Sequence, residues 1–243
     1  DLPGVFTVKN LEDGRRIKAF LRQRKAERAV LLGMGYIALE MTEALVDLGL
    51  AVDLVKPRAG LLPWLHRELA KPVRELLEQR GVGLYDGYRV DRISADGDRL
   101  TVHAGDLALS ADLVIAAIGV TPCAQLAEAA GLELSVGGSI ATDRTLRTSD
   151  PEIFAAGDCA DSYHLVTGAK TWIPLALRAN RAGWAVADNV CGGRVELPGV
   201  AGTAVFKVFD MQVARTGLTP DEAQEAGFDP VEVQIRSRSR AGI

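Results

Sequence analysis

Residues 28–57, RAVLLGMGYIALEMTEALVDLGLAVDLVKP, constrain the fold more than any other stretch of the chain. An apolar run at 29–32 leads into Gly33, Gly35 and Ala38, followed by helical periodicity over 36–48 and a second apolar run at 51–55. Strand, glycine turn, helix and strand in that order make a βαβ unit, whose two strands belong in a parallel sheet. The GxGxxA spacing has a physical use. Gly33 permits a tight turn, Gly35 leaves no Cβ between the backbone and a pyrophosphate, and Ala38 lets the helix sit close to the strand. The helix N-terminus then presents unpaired N–H groups and the positive end of its dipole to an anion. Such a turn can also be purely structural, but the strand before it, the amphipathic helix after it and Gly49 as the stop favour dinucleotide binding.

Composition removes other classes of function. The 243 residues can bury one large core or two modest ones, so length sets no unique domain count. A formal net charge of −4 argues against a nucleic-acid partner held by bulk electrostatics. No apolar run is long enough to span a bilayer and Asp1 opens no signal peptide, so the expected location is cytoplasmic, without a membrane partner. Cys123, Cys159 and Cys191 are odd in number, widely separated and free of CxxC or metal-ligand spacing. They read as small buried residues, and no metal is expected.

Taken in order, residues 2–8 read as an extended lead-in, and Asn10 or Asp13 caps a helix that carries Ile17, Phe20 and Leu21 on one face. Leu65, Leu69, Val73, Leu76 and Leu77 recur at helical spacing up to Gly81, with Pro72 inside the pattern and His66 a surface residue. Residues 83–109 read as a small antiparallel meander, and 113–118 as a buried parallel strand that stops on Gly119 and Pro122. A short helix is expected at 124–130, strands around 139–142 and 153–156, and an alanine-rich helix through Ala176, Ala179, Ala182 and Ala185. Asp158, beside Gly157 at the end of a strand, suits a ligand hydroxyl, although a turn aspartate is the plainer reading. Strands at 204–209 and 231–235 flank a helix capped by Thr219 and opened by Pro220.

The strings GMGYIALEMTEAL, ADLVIAAIGVTP and LRTSDPEIFAAGDCAD, in that order, resemble the FAD-dependent pyridine nucleotide-disulfide oxidoreductases. Within them the chain is most similar to NADH oxidases, NADH peroxidases and coenzyme A-disulfide reductases, a likeness that IPLALRANRAGWAVADNVCGG and GTAVFKVFDMQVARTGLTPDEAQEAGF extend. The resemblance implies an α/β fold: a lead-in at 1–10, a Rossmann-like NAD(P)-binding domain with its meander at 11–118, the second part of an FAD-binding domain at 119–193, and the start of an α+β interface domain at 194–243. Relatives begin with an FAD-binding segment that carries its own glycine fingerprint and a redox-active cysteine, so the chain is expected to be a piece of such an enzyme. By itself it would bind nucleotide without turnover.

The same resemblance assigns roles. Gly33, Gly35 and Ala38 would hold the pyrophosphate of NAD(P)H, with Tyr36, Ile37 and Glu40 near the nicotinamide. Gly119 would lie where the two nucleotide sites approach each other. Gly157 and Asp158 would contact the FAD ribityl and phosphate region, and Leu175 and Ala176 the flavin ring. The implied activity passes hydride from NAD(P)H to FAD and then to a disulfide, a peroxide or oxygen, in a homodimer acting on a small-molecule or thiol substrate.

Two positions depart from the pattern. An NAD-specific site ends its second strand in an acid that accepts from the ribose hydroxyls, whereas this chain has Lys56 there, with Arg58 following. A cation can pair with the 2′-phosphate of NADP, which favours NADPH slightly over NADH. The alternative is a solvated Lys56, with Asp53 as the acid if the strand ends early. Cys123 stands where relatives place asparagine, and a packing role is expected. Two other readings remain open: a non-catalytic nucleotide-binding module, and a rubredoxin- or ferredoxin-type flavin reductase.

Overall fold

The structure is a computed structural model that describes residues 2–62 and 64–237. The chain forms two compact units, one of residues 1–120 with 205–214, the other of 121–204 with 215–243.

The first unit is built on a five-stranded sheet in the order β1-β8-β2-β3-β4, every neighbouring pair of which is parallel. Its strands are β1 (Val5–Thr7), β2 (Arg28–Leu32), β3 (Ala51–Lys56), β4 (Gly83–Asp86) and β8 (Leu113–Ala116). Parallel strands need crossovers, and α1 (Leu11–Gln23), α2 (Tyr36–Asp47) and α3 (Arg67–Gln79) lie in the links β1–β2, β2–β3 and β3–β4. The middle strands are apolar throughout because both faces are covered: Ala29, Val30, Leu31, Leu54, Leu113, Val114 and Ile115 are all fully buried. One face joins the helices in a core with Leu39, Leu45 and Leu77. The other packs against the antiparallel sheet β5 (Arg92–Asp96), β6 (Arg99–Ala104) and β7 (Leu107–Ala111) through Leu100, Val102 and Leu109.

Helix ends follow the chemistry of their caps. Asn10 caps α1, accepting from the Asp13 N–H at 2.9 Å, and the Asp13 carboxylate accepts in return from the Lys9 N–H at 2.9 Å. His66 caps α3, its Nδ1 accepting from the Glu68 N–H. Pro72 sits within α3 without ending it.

A hairpin from near the end of the chain, β11 (Ala204–Val208) and β12 (Met211–Arg215), puts residues 205–214 in this unit. Phe206, Val208, Phe209 and Val213 join the core that contains Leu31 and Leu54. The periodicity of the sequence indicated only the first of its strands. The turn is tight, with Phe209 at φ +49, a strained conformation for an aromatic residue that its burial holds in place.

The second unit is mostly irregular. It carries α4 (Gln125–Ala129), a 3-10 turn at Val136–Gly138, the two-residue strands β9 (Ser162–Tyr163) and β10 (Lys170–Thr171), α5 (Ala176–Val190) and α6 (Pro220–Glu225). The strand expected around 139–142 reduces to isolated bridges from Ile140 to Leu134 and Ala160, because the next N–H but one, that of Thr142, donates to the Asp161 carboxylate and not to a strand. That expected at 153–156 reduces to one bridge, Arg147 to Phe154, in a turn closed by the Thr148 N–H on the Ile153 carbonyl. Residues 231–235 form no strand either: Val231, Val233 and Ile235 are exposed, and a strand without a neighbour has no ladder to join. Thr219 and Glu222 make a reciprocal capping box at α6, with Pro220 in its first turn.

Candidate dinucleotide site and the Gly157 loop

The turn between β2 and α2 is set by sheet geometry. Gly33 has φ +116, and a Cβ placed there would lie 2.3 Å from the Ala117 carbonyl oxygen of the segment leaving β8. Only glycine fits that conformation and that approach. Its N–H donates to the Val55 carbonyl at 2.7 Å, tying the turn to β3. Gly35 is the N-cap of α2, with open space where a Cβ would be and no side chain capping the helix. The first intrahelical bond of α2 runs from the Leu39 N–H to the Gly35 carbonyl at 3.1 Å, so the opening N–H groups point out of the helix ladder toward that space. Ala38 is fully buried, allowing the close approach of helix and strand. Gly119 follows two residues after Ala117, past the C-terminal end of β8.

Tyr36 and Glu40, one turn apart, share an exposed face of α2. Ile37, Glu40 and Met41 line a groove of about 430 Å³ with Val8, Lys9 and Asn10. Burial raises the Glu40 carboxyl above the usual glutamate range, and the neighbouring Glu43 charge adds to the rise. Glu43 faces the hairpin: its carboxylate accepts from Lys207 Nζ and the Phe209 N–H, each at 2.7 Å, and the Lys207 hydrogen bond holds it below the ordinary range. Arg80 pairs with Asp210 and stacks on the Phe209 ring, adding a second attachment.

β3 continues through Lys56, so Asp53 is not the terminal acid. Asp53 is buried and paired with Arg28 at 3.3 Å. Lys56 is turned inward, 8% exposed, its Nζ donating to the Gly60 carbonyl at 2.5 Å, while the Gly60 N–H donates to Asp86 at 2.6 Å. Burial pushes the Lys56 ammonium pKa down, opposed by the charge of Asp86. Arg58 is exposed on the same loop. Arg58 is thus open to solvent, whereas the Lys56 ammonium is held on the Gly60 carbonyl.

In the second unit, Gly157 (φ +95) opens a loop through Asp161 whose carbonyls are nearly all engaged. Trp172 Nε1 donates to the Asp158 carbonyl at 2.8 Å, the Ile140 N–H to that of Cys159 at 2.8 Å, and Arg178 Nη1 to that of Gly157 at 2.5 Å. Arg178 Nη2 also donates to the Asp161 carbonyl. The Asp161 side chain is buried, accepting from the Thr142 N–H and hydroxyl at 2.9 Å and pairing with Lys170 at 2.9 Å. The N–H groups of Gly157, Asp158 and Cys159 donate to no acceptor among the described residues, and the Asp158 carboxylate is exposed. Leu175 is the N-cap of α5 and Ala176 its first residue. Sequence reasoning missed Arg178 and Trp172. The signal was there for Arg178, which occupies the buried stripe of α5 with Ala182, Ala185 and Asn189, a place where a charge needs partners.

The expectation that the cysteines are buried is corrected for two of them. Cys123 and Cys191 are exposed, Cys123 in the loop before α4 and Cys191 just past the buried stripe of α5. Cys159 is half-buried, its thiol donating to the Ala156 carbonyl.

A parallel sheet with a glycine turn leading into an uncapped helix defines a Rossmann-like nucleotide-binding fold. Residues 1–183 match the pyridine nucleotide-disulphide oxidoreductases, and the chain belongs to that family. It is 34% identical to the CoA-dependent NAD(P)H sulfur oxidoreductase of Pyrococcus furiosus, over 99% of this chain and 54% of that protein. It is 29% identical to the coenzyme A disulfide reductase of Staphylococcus epidermidis, over 94% of this chain and 52% of that one. Among solved structures, the NAD-dependent persulfide reductase from A. fulgidus superposes with a TM-score of 0.90 at 37% identity, covering 94% of this chain and 43% of that chain. The chain thus spans about half the length of the curated relatives it matches.

Proposed function

We propose that the whole protein is an NAD(P)H-dependent flavoprotein oxidoreductase whose final acceptor is a sulfur–sulfur bond in a small molecule such as coenzyme A disulfide or a polysulfide. The observation that carries this is the open N-terminus of α2 behind Gly33 and Gly35, in a chain whose relatives named above are reductases of sulfur compounds. When bound, FAD would supply the hydride acceptor and pass two electrons on to sulfur.

The residues of this chain act by binding and positioning. Gly33, Gly35 and Ala38 receive the pyrophosphate of NAD(P)H on the opening N–H groups of α2. Tyr36, Ile37 and Glu40 border the nicotinamide, with Gly119, just past the end of β8, as a further cofactor contact. The unpaired N–H groups of Gly157 to Cys159 fit phosphate oxygens, and the exposed Asp158 carboxylate fits ribityl hydroxyls, with Leu175 and Ala176 toward the ring. The absence of a carboxylate at Lys56 and the exposed Arg58 support NADPH over NADH. Homodimeric assembly in the cytoplasm completes the reading.

The test is steady-state turnover of the whole protein with NADH and NADPH against coenzyme A disulfide, polysulfide and oxygen. Flavin reduction followed by faster turnover on the sulfur substrates is expected, with the lower KM for NADPH. Equal KM values would remove the NADPH preference, and faster turnover with oxygen alone would replace the sulfur acceptor.

A further inference from the structure

Resting on the reading of Gly157 and Asp158 as the flavin-contacting loop, we infer that Arg178 is the positioning residue that gives this loop its polarity, with Trp172 as its partner. A loop of five residues offers backbone donors and acceptors in equal number, and an anion needs only the donors. Here the acceptors are removed from the ligand side. Arg178 takes the Gly157 and Asp161 carbonyls with two nitrogens of one planar fork, and Trp172 takes the Asp158 carbonyl between them. With those carbonyls turned inward, the N–H groups of Gly157, Asp158 and Cys159 are left without internal acceptors, and the Asp158 side chain is left exposed.

Arg178 suits the task by its chemistry. A guanidinium bridges two carbonyls in fixed geometry, which an ammonium on a flexible stem does less well. It is 8% exposed, and Asp161, itself held by Lys170 and Thr142, supplies the opposing charge. The buried cation also lies under a loop that brings the Asp158 carboxylate toward an anionic ligand, and offsets part of that repulsion.

The experiment uses the whole protein, stripped of flavin and titrated with FAD, with binding read from flavin fluorescence and from the visible circular dichroism of the bound flavin. In R178Q the FAD Kd is expected to rise at least tenfold with an altered flavin dichroism band, and R178K is expected to fall between R178Q and the parent. W172F, which removes one donor and keeps the ring, is expected to raise Kd about threefold. The Kd for NAD(P)H, bound in the other unit, stays at the parental value in all three. A parental FAD Kd and dichroism band in R178Q overturn the inference. If R178Q does not fold, W172F decides, and an unchanged Kd there overturns it. A parent protein that takes up no FAD at all overturns the functional reading and this inference with it, an outcome distinct from uptake that is equal in parent and variant.

Discussion

The turn at Gly33 and the loop at Gly157 both place a positive-φ glycine beside exposed N–H groups, yet they are built by opposite means. At Gly33 the backbone does the work: a parallel sheet brings the C-terminal ends of β2, β3 and β8 together, and the hydrogen-bond ladder of α2 starts only with the Leu39 N–H on the Gly35 carbonyl. No side chain caps that helix. At Gly157 no strand ladder or helix N-terminus shapes the loop, and side chains do it instead: Arg178 from the buried face of α5, Trp172, and the buried Asp161 paired with Lys170 hold the backbone. The first construction is sensitive to backbone geometry and tolerant of side-chain change, and the second is the reverse.

The largest effect expected from that contrast is at Gly33. Gly33→Val places a Cβ against the Ala117 carbonyl at a disallowed φ, costing about 3 kcal/mol and abolishing NAD(P)H binding, as read by denaturant unfolding and fluorescence titration. Retained affinity would mean that sheet geometry does not build this turn. Next comes Arg178→Gln, which leaves buried carbonyls without their donor and is expected to cost about 2 kcal/mol in the second unit; Arg178→Lys should lose less. If both variants unfold like the parent, side chains do not hold the loop.

Smaller effects separate α2 from the hairpin that packs on its unit. Glu43→Gln weakens the pairing with Lys207 and should cost only a small part of the stability, since the lysine is open to solvent and the pair is screened by salt. Faster amide exchange across 205–214 is the specific signature, and unchanged exchange there would show that apolar packing alone attaches the hairpin. Because the folded Glu43 carboxyl lies below its ordinary value, its contribution is complete above the unfolded pKa and is lost as pH falls through the folded one, so acid should loosen the hairpin. Glu40 has the opposite sign. Its raised carboxyl favours the neutral form, a contribution present in acid and lost as pH rises through its folded pKa, so Glu40→Gln should leave stability at neutral pH unchanged or slightly higher. A marked loss of stability in Glu40→Gln would mean that its charge is used within the fold.

How much of this was legible in the sequence follows the same division. Gly33, Gly35, Ala38, the helix after them and the caps at Asn10 and Thr219 are written in short-range spacing, because a turn of helix or a strand alternation involves residues a few positions apart. The apolar runs at β2, β3 and β8 likewise announce a sheet covered on both faces. The sequence by itself therefore determined the βαβ unit, the family and the meander from residue 92 on; residues 83–86, expected to belong to that meander, instead form β4 and pair parallel with β3 at the edge of the main sheet. The partners of Asp161, which lie 19 residues away at Thr142 and 9 away at Lys170, have no such local sign. Nor did the inward turn of Lys56 onto Gly60, the second strand of the 204–215 hairpin, or Glu43 meeting Lys207 across 164 residues. Those were decided by tertiary structure, because an irregular loop or a docked hairpin is held by whichever distant donor or apolar surface folding brings beside it, and that proximity has no periodicity to read.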